Sequence, residues 1–211
     1  TYDCGDFPGN LEKALSFINY DHFEKRRAQS KKLGKLRGIG ISNTVKKTST
    51  PNLESCCIRF DPSGTVTLIM GTISHGQGHE TVFKQIVCEK LGLEPSSIRY
   101  VQGDTDIANY GRGTFNSRSM SIGGSAVVIA CDKTIEKAKK IASFILEAAE
   151  TDIDFEVGQF TVIGTDRKIS ILEVAEKAFD PKALSSDIEP GLNETGIYTP
   201  QYWNWPTGVQ V

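Results

Sequence analysis

The sequence has no long hydrophobic run: nothing in its 211 residues approaches the ~20 consecutive apolar residues that a spanning helix needs. It carries little net charge, formally −2, which removes the electrostatic reason to expect nucleic acid or an anionic membrane as partner. The one basic cluster, from Glu24 to Arg37, has no accompanying aromatic ladder and reads as a solvated helix face. An initiator Met, a basic leader and an apolar export segment are all missing at Thr1-Tyr-Asp-Cys4. The expectation is a cytoplasmic chain cut from something longer. Cysteine spacing fits no metal framework: Cys4, Cys56, Cys57, Cys88 and Cys131 are odd in number. Reduced structural thiols are expected, with Cys56 and Cys57 on opposite faces of a strand. What is present, 38% apolar and 24% charged residues, suits a globular protein with a real core, in one large domain or two small ones.

The periodicity predicts an amphipathic helical region over residues 1–33, with Leu11, Ala14, Leu15, Ile18 and Phe23 on one face. Residues 36–45 alternate small and apolar residues and predict a strand, thinned by Gly38 and Gly40 for a close backbone or ligand. Residues 53–60 and 65–70 predict a hairpin around Asp61-Pro-Ser-Gly64, where proline pre-sets φ and glycine accepts a positive one. A helix over 81–91, a strand over 97–102, a long helix from Met120 to Ala149 and two short strands within 152–172 follow. Ser170-Ile-Leu-Glu173 reads as a capping box. Pro181 to Val211 carries four of the eight prolines and little periodicity, and its aromatic-rich Tyr198–Pro206 is expected to pack as an extended strip on the body or to cover a segment of the longer protein.

The stretch from Gly71 to Thr81 joins an apolar strand, Val66–Met70, to a helix N-terminus. Glycines there bring free backbone N–H groups beside the positive end of a helix dipole, which suits an anion or a polar cofactor edge. Gly76 and Gly78 allow close approach, and Gln77 offers both a donor and an acceptor. The plainer reading is a tight strand-to-helix connection. A second polar stretch, Gly103 to Ser119, is 17 residues long, more than a mere connection needs. It delivers Ser117-Arg-Ser119 and then Gly123 and Gly124 to the next helix. Its serines suit an N-cap; alternatively Arg118 supplies a planar fork to a phosphate in a second anion pocket.

Three chemistries are set aside. His75 and His79 lie four apart beside Glu80, but the order is not His-Glu-x-x-His, and intervening glycines disfavour a continuous helix. Gly71 to Gly76 has P-loop spacing, yet Gln77 stands where lysine is required. Asp104 and Asp106, on a Gly-Asp-Thr-Asp turn, suit backbone N–H acceptance better than catalysis.

Taken in order, Gly71-Thr…Gly76-Gln-Gly-His-Glu-Thr81, Gly103-Asp-Thr-Asp106, Gly113-Thr-x-x-Ser-Arg-Ser119 and Gly123-Gly124 resemble the molybdenum-cofactor-binding subunit of the xanthine dehydrogenase, aldehyde oxidase and carbon monoxide dehydrogenase family. Asp3-x-Gly-Asp-Phe7, Leu36-Arg-Gly-Ile-Gly40 and Asp61-Pro-x-Gly64 extend the likeness over most of the chain. The resemblance implies an α+β fold, with mixed or antiparallel sheets and packed helices, like that family's second molybdopterin-binding domain. Residues 1–211 would be a fragment of it, with a possible split between 45–150 and 1–44 plus 151–211. It implies a molybdopterin cofactor with molybdenum, in the cytosine dinucleotide form of bacterial members. Gln77 would lie near the molybdenum without ligating it, and Gly78, His79, Glu80 and Thr81 would wall the pterin. Thr114, Ser117, Arg118 and Ser119 would hold the pyrophosphate or nucleotide.

The implied reaction is water-dependent hydroxylation or oxidation of a small molecule: a purine, an aldehyde or carbon monoxide. The family's glutamate-bearing and substrate-loop segments are not found, so no catalytic residue is assigned and the fragment alone is expected to be inactive. The rest of the molybdenum subunit, with iron–sulfur clusters and FAD on other domains or subunits, would be its partners. A non-catalytic dinucleotide- or phosphate-binding module is the alternative. Gln77→Ala or Arg118→Ala is expected to reduce bound molybdenum or turnover without unfolding the domain.

Overall fold

The computed structural model describes residues 2, 5–49, 52–108, 110–186 and 188–211. Asp3 and Cys4, and so part of the first motif, lie outside the described residues. The chain forms two compact units, one of residues 1–50 with 202–211 and one of residues 51–201. Residues 151–201 therefore share a unit with 51–150.

The smaller unit holds helices α1 (Phe7–Phe17) and α2 (Phe23–Lys32) and a two-stranded ribbon of β1 (Ser42–Val45) with the C-terminal β9 (Thr207–Gln210). Asp6 caps α1 by accepting from Gly9 N at 3.0 Å. The helical region expected over 1–33 is thus two helices, broken where Asn19 takes a left-handed φ of 54°. Its apolar face is only half-buried, Phe17 and Leu36 stand almost fully exposed, and Leu33 is largely exposed. The strand expected over 36–45 shrinks to Ser42–Val45, because residues 36–41 join no ladder among the described residues; Gly38 and Gly40 face open space, not a close neighbour. The aromatic strip is divided as well. Trp203 and Trp205 flank Lys47, whose Nζ lies 3.5 Å from the Trp203 ring centre, a cation–π contact.

The larger unit is built on a four-stranded sheet in the order β4-β3-β2-β8. Strands β2 (Glu54–Phe60) and β3 (Val66–Met70) form the predicted antiparallel hairpin. Its turn follows the expected chemistry: Asp61 Oδ1 accepts from Ser63 N at 2.8 Å, and Gly64 takes φ 82°. Every residue of β3 is buried, as a short unbroken apolar run on a central strand requires. Helix α3 (His79–Leu91) carries the chain over to β4 (Ile98–Gln102), parallel to β3, and Gly92 in left-handed conformation ends the helix. Helix α4 (Ser125–Ile145) lies against β2 and against β8 (Asn193–Tyr198), the antiparallel neighbour of β2.

The predicted helix 120–149 is shorter at both ends. Ser119–Gly124 forms a π-turn, and Glu147, at φ 47°, breaks the C-terminal end. Small residues at Ala126, Ala130, Thr134 and Ala138, spaced four apart, let α4 approach the sheet closely. A meander of β5 (Ile153–Glu156), β6 (Gln159–Val162) and β7 (Lys168–Ser170) leads into α5 (Ile171–Lys177). The capping box at Ser170 and Glu173 is present in both directions.

Phe60, Leu68, Met70, Phe83, Leu91, Ile141 and Phe160 belong to one buried cluster. Cys56 is fully buried and Cys57 half-buried on the other face, and the four described cysteines are free. Burial holds the Cys56 thiol well above its ordinary value and lifts Cys131 to about 12, so both remain protonated and inert at neutral pH. Among the described residues no helix is long and apolar enough to cross a membrane.

Candidate functional site

The site lies at the carboxyl ends of β3 and β4, where two loops converge. The first runs from Gly71 to Gly78, and the second fills residues 103–118. A β-carbon on Gly71 would collide with the backbone of Tyr110 and Gly111 and with the Glu54 carboxylate, so glycine is required where the second loop crosses the first. Thr114 staples the two: its Oγ1 donates to Ile73 O and accepts from Ile73 N at 3.1 Å. Ser119 Oγ in turn lies 3.1 Å from Thr114 Oγ1. Ser55 Oγ donates to Tyr110 O at 2.6 Å, and Gln102 Oε1 accepts from Ser74 N at 2.9 Å.

Between the loops opens a cavity of about 550 Å³, lined by His75, Gln77, His79, Val82 and Phe83 from one side and Thr114 through Met120 from the other. Six of the nine residues singled out in the sequence meet here: Gln77, His79, Thr114, Ser117, Arg118 and Ser119. Gly78, Glu80 and Thr81 do not line it. Glu80 turns instead to Lys84, with Nζ 2.8 Å from Oε1.

The N-terminus of α3 has no side-chain cap, because Gly78 occupies the N-cap position at φ 78°. The first N–H groups of that helix, those of His79, Glu80 and Thr81, therefore lack an intrahelical acceptor, and they sit at the positive end of the dipole. Gln77 folds its carbonyl back onto the loop, with Oε1 accepting from His75 N, which leaves the amide NH2 to donate outward. Gly76 and Gly78, both at positive φ, have open space where a β-carbon would stand.

His79 is 7% exposed, its ring 5.3 Å from that of Phe83, and its Nδ1 is buried without a partner. Burial first, and the neighbouring His75 second, push its pKa below the ordinary value of 6.5. It is neutral at pH 7. The unfolded chain binds this proton more readily than the folded one, so stability falls as pH drops through 6.5 and on through the lower folded value. Unfolding measured from pH 7.5 to 5.5 should show this loss, and His79→Gln should flatten it. An unchanged acid limb in the variant would refute the assignment.

The second loop departs from expectation in its central residue. Arg118 is fully buried, and its fork is committed inside the protein. Nη1 pairs with Glu54 Oε2 and donates to Gly113 O at 2.8 Å, while Nη2 donates to Leu53 O at 3.0 Å. Only Nε is left without a partner. A phosphate fork must present two adjacent N–H groups; here Glu54 and backbone carbonyls occupy them. Nor do the serines cap the following helix: the π-turn has no side-chain cap. Gly123 and Gly124 bring that turn against the side chains of Met70, Phe83 and Met120, not against a ligand.

Asp104 behaves as expected, its Oδ1 accepting from Asp106 N at 2.9 Å. Among the described residues no group of three His, Cys, Asp or Glu side chains is placed to hold a metal ion. Glu54 was missed. The signal was available, since period-two alternation puts it on the same face as Cys56, Ile58 and Phe60, all buried.

The arrangement suits an elongated anionic ligand with a polar edge: an uncapped helix N-terminus, an outward amide donor, an orphaned imidazole nitrogen and a roomy cleft. The sequence matches the family model of the molybdopterin cofactor-binding domain over residues 13–211. It is 35% identical to the carbon monoxide dehydrogenase large chain of Hydrogenophaga pseudoflava, over 99% of this chain and 28% of that one. Subunit gamma of the 6-hydroxypseudooxynicotine dehydrogenase complex of Paenarthrobacter nicotinovorans is 34% identical, over 99% and 26%. Among solved structures, a Cu,Mo-CO dehydrogenase in its carbon monoxide reduced state superposes with a TM-score of 0.78 at 33% identity, covering 99% of this chain and 28% of that one. Quinoline 2-oxidoreductase from Pseudomonas putida 86 gives 0.76 at 28% identity, covering 97% and 28%. This chain spans little more than a quarter of the length of these relatives. The expected α+β fold and the resemblance both hold, and the chain belongs to the molybdopterin cofactor-binding domain family.

Proposed function

We propose that this chain is the part of a molybdenum hydroxylase large subunit that grips a molybdopterin cofactor, in its cytosine dinucleotide form, at the cleft between the two loops. The observation that carries the proposal is the uncapped start of α3, with the orphaned Nδ1 of His79 beside it, facing the loop of Thr114–Ser119 across one cavity. Gln77 donates its amide toward the molybdenum end. The backbone of Gly78, His79, Glu80 and Thr81 supplies N–H groups to oxygens of the pterin side. Thr114, Ser117, Arg118 and Ser119 form the wall against which the pyrophosphate and nucleotide lie, the first and last two through the loop they hold in shape. The molybdenum centre would supply water-dependent oxidation of a purine, an aldehyde or carbon monoxide. This chain's share is to bind, orient and exclude water.

The rest of the subunit completes the active site, and electrons leave through iron–sulfur and flavin groups on partner domains or subunits in the cytoplasm. The relatives' names are those of dehydrogenases and a hydroxylase, which favours this reading over a non-catalytic dinucleotide module.

The test is elemental molybdenum and released nucleotide on the full-length protein with its natural partners. Near-stoichiometric molybdenum, with cytidine monophosphate after acid hydrolysis, is expected. Neither signal from a well-folded complex would end the proposal. Gln77→Ala removes the outward donor and should lower retained molybdenum about tenfold, as loss of a hydrogen bond to a charged group implies. Full retention in that variant would take Gln77 out of the site.

A further inference from the structure

Glu54 is a charged side chain with no exposure at the start of a buried strand, and it is a hub. Its Oε1 accepts from Ser55 N at 3.3 Å, and its Oε2 accepts from Arg112 N at 3.3 Å and pairs with Arg118 Nη1. Both donors on Oε2 belong to the second loop. Arg118 answers with bonds to the carbonyls of Gly113, on the same loop, and of Asn52 and Leu53, just ahead of β2. Between Gly113 and Arg118, Asn116 and Ser117 stand consecutively in left-handed conformation, at φ 53° and 55°. Two adjacent non-glycine residues there are a strained pair that persists only where surrounding contacts over-determine it. The bonds that Arg118 makes at the loop's end are among the contacts that do so here.

We infer that the buried Glu54–Arg118 pair is the positioning device of this site: it pins residues 110–119 to β2 in the strained shape that places Thr114, Ser117 and Ser119 along the cavity. The inference deepens the cofactor-binding proposal and rests on it for its second half only. A carboxylate suits the role because it takes several donors at once, and arginine because one planar fork spans a carboxylate and backbone carbonyls together. Both side chains are fully buried and make their polar contacts inside the protein. Its effect passes through the loop.

The test uses the full-length protein in its complex, with Glu54→Gln, Arg118→Met and Arg118→Lys, and reads amide exchange peptide by peptide beside retained molybdenum and nucleotide. Exchange over 110–119 should speed by at least about tenfold in Glu54→Gln and Arg118→Met, as loss of a buried charge-assisted bond implies, and by clearly more than exchange in β5–β7 and α5. Arg118→Lys should be intermediate, since it keeps the charge but not the fork. It also carries the comparison should Arg118→Met fail to accumulate. Retained molybdenum and nucleotide should fall in the same order.

Unchanged protection of 110–119 in the variants would overturn the pinning role. A released loop with full cofactor retention would overturn the link to the site. Absence of cofactor in the unaltered protein would instead strike the cofactor proposal, leaving the exchange comparison to decide the pinning by itself.

Discussion

Truncating Glu54 to alanine is expected to destabilise the larger unit by about 3–5 kcal/mol, because it leaves the Arg118 guanidinium buried and uncompensated. The loss has two parts. Arg118 keeps its carbonyl acceptors but loses the anion that balanced its charge, and Ser55 N loses a buried acceptor. The same physics predicts a rescue. In Glu54→Leu with Arg118→Met no charge remains to desolvate, so much of the stability should return, although the loop loses its anchor. A protein of several domains gives no single two-state unfolding energy, so the measurement is native-state exchange of the β2 and β3 amides in the full-length protein. Equal losses in the single and double variants would mean that shape, not charge, decides this position. The structure thereby replaces one expectation: Arg118→Ala is not a silent probe of phosphate binding, since it too opens the buried pair.

The second large effect is expected at Gly196, in the middle of β8. A β-carbon there would run into the carbonyl of Ala126 and the backbone of Ala130, both fixed in α4. Nothing flexible is available to yield, so Gly196→Ala must push α4 off the sheet. A loss of about 3 kcal/mol is expected, the upper end for overpacking a core. Gly208→Ala in β9 is the control: its β-carbon meets open space, and a change within about 0.5 kcal/mol is expected. Exchange of the β8 amides, compared with those of β9 in each variant, reads the two effects. Matching effects would defeat the packing argument.

The sequence alone determined what depends on near neighbours along the chain. The hairpin 54–70 was legible because alternation, the Asp-Pro-Ser-Gly turn and a short buried run agree locally. The capping box at Ser170 and the first loop at the start of α3 were legible for the same reason. The family was legible because several short motifs occur in order, although none is specific alone. Legibility failed where the outcome depends on a partner distant in sequence. Residues 36–41 have strand-like alternation, yet no described strand pairs with them, and a strand without a ladder does not form. Arg118 looks like a phosphate fork until a carboxylate 64 residues earlier claims it. Thr114 and Ser119 look like ligand hydroxyls, yet Thr114 staples one loop to the other and Ser119 bonds to Thr114.

Local sequence thus set the elements and the donors that the backbone must leave free at a helix start. Only the tertiary structure decided which polar side chains are consumed inside the protein and which remain to meet a ligand. A buried charge must find its partner somewhere, and where that partner lies is a property of the fold.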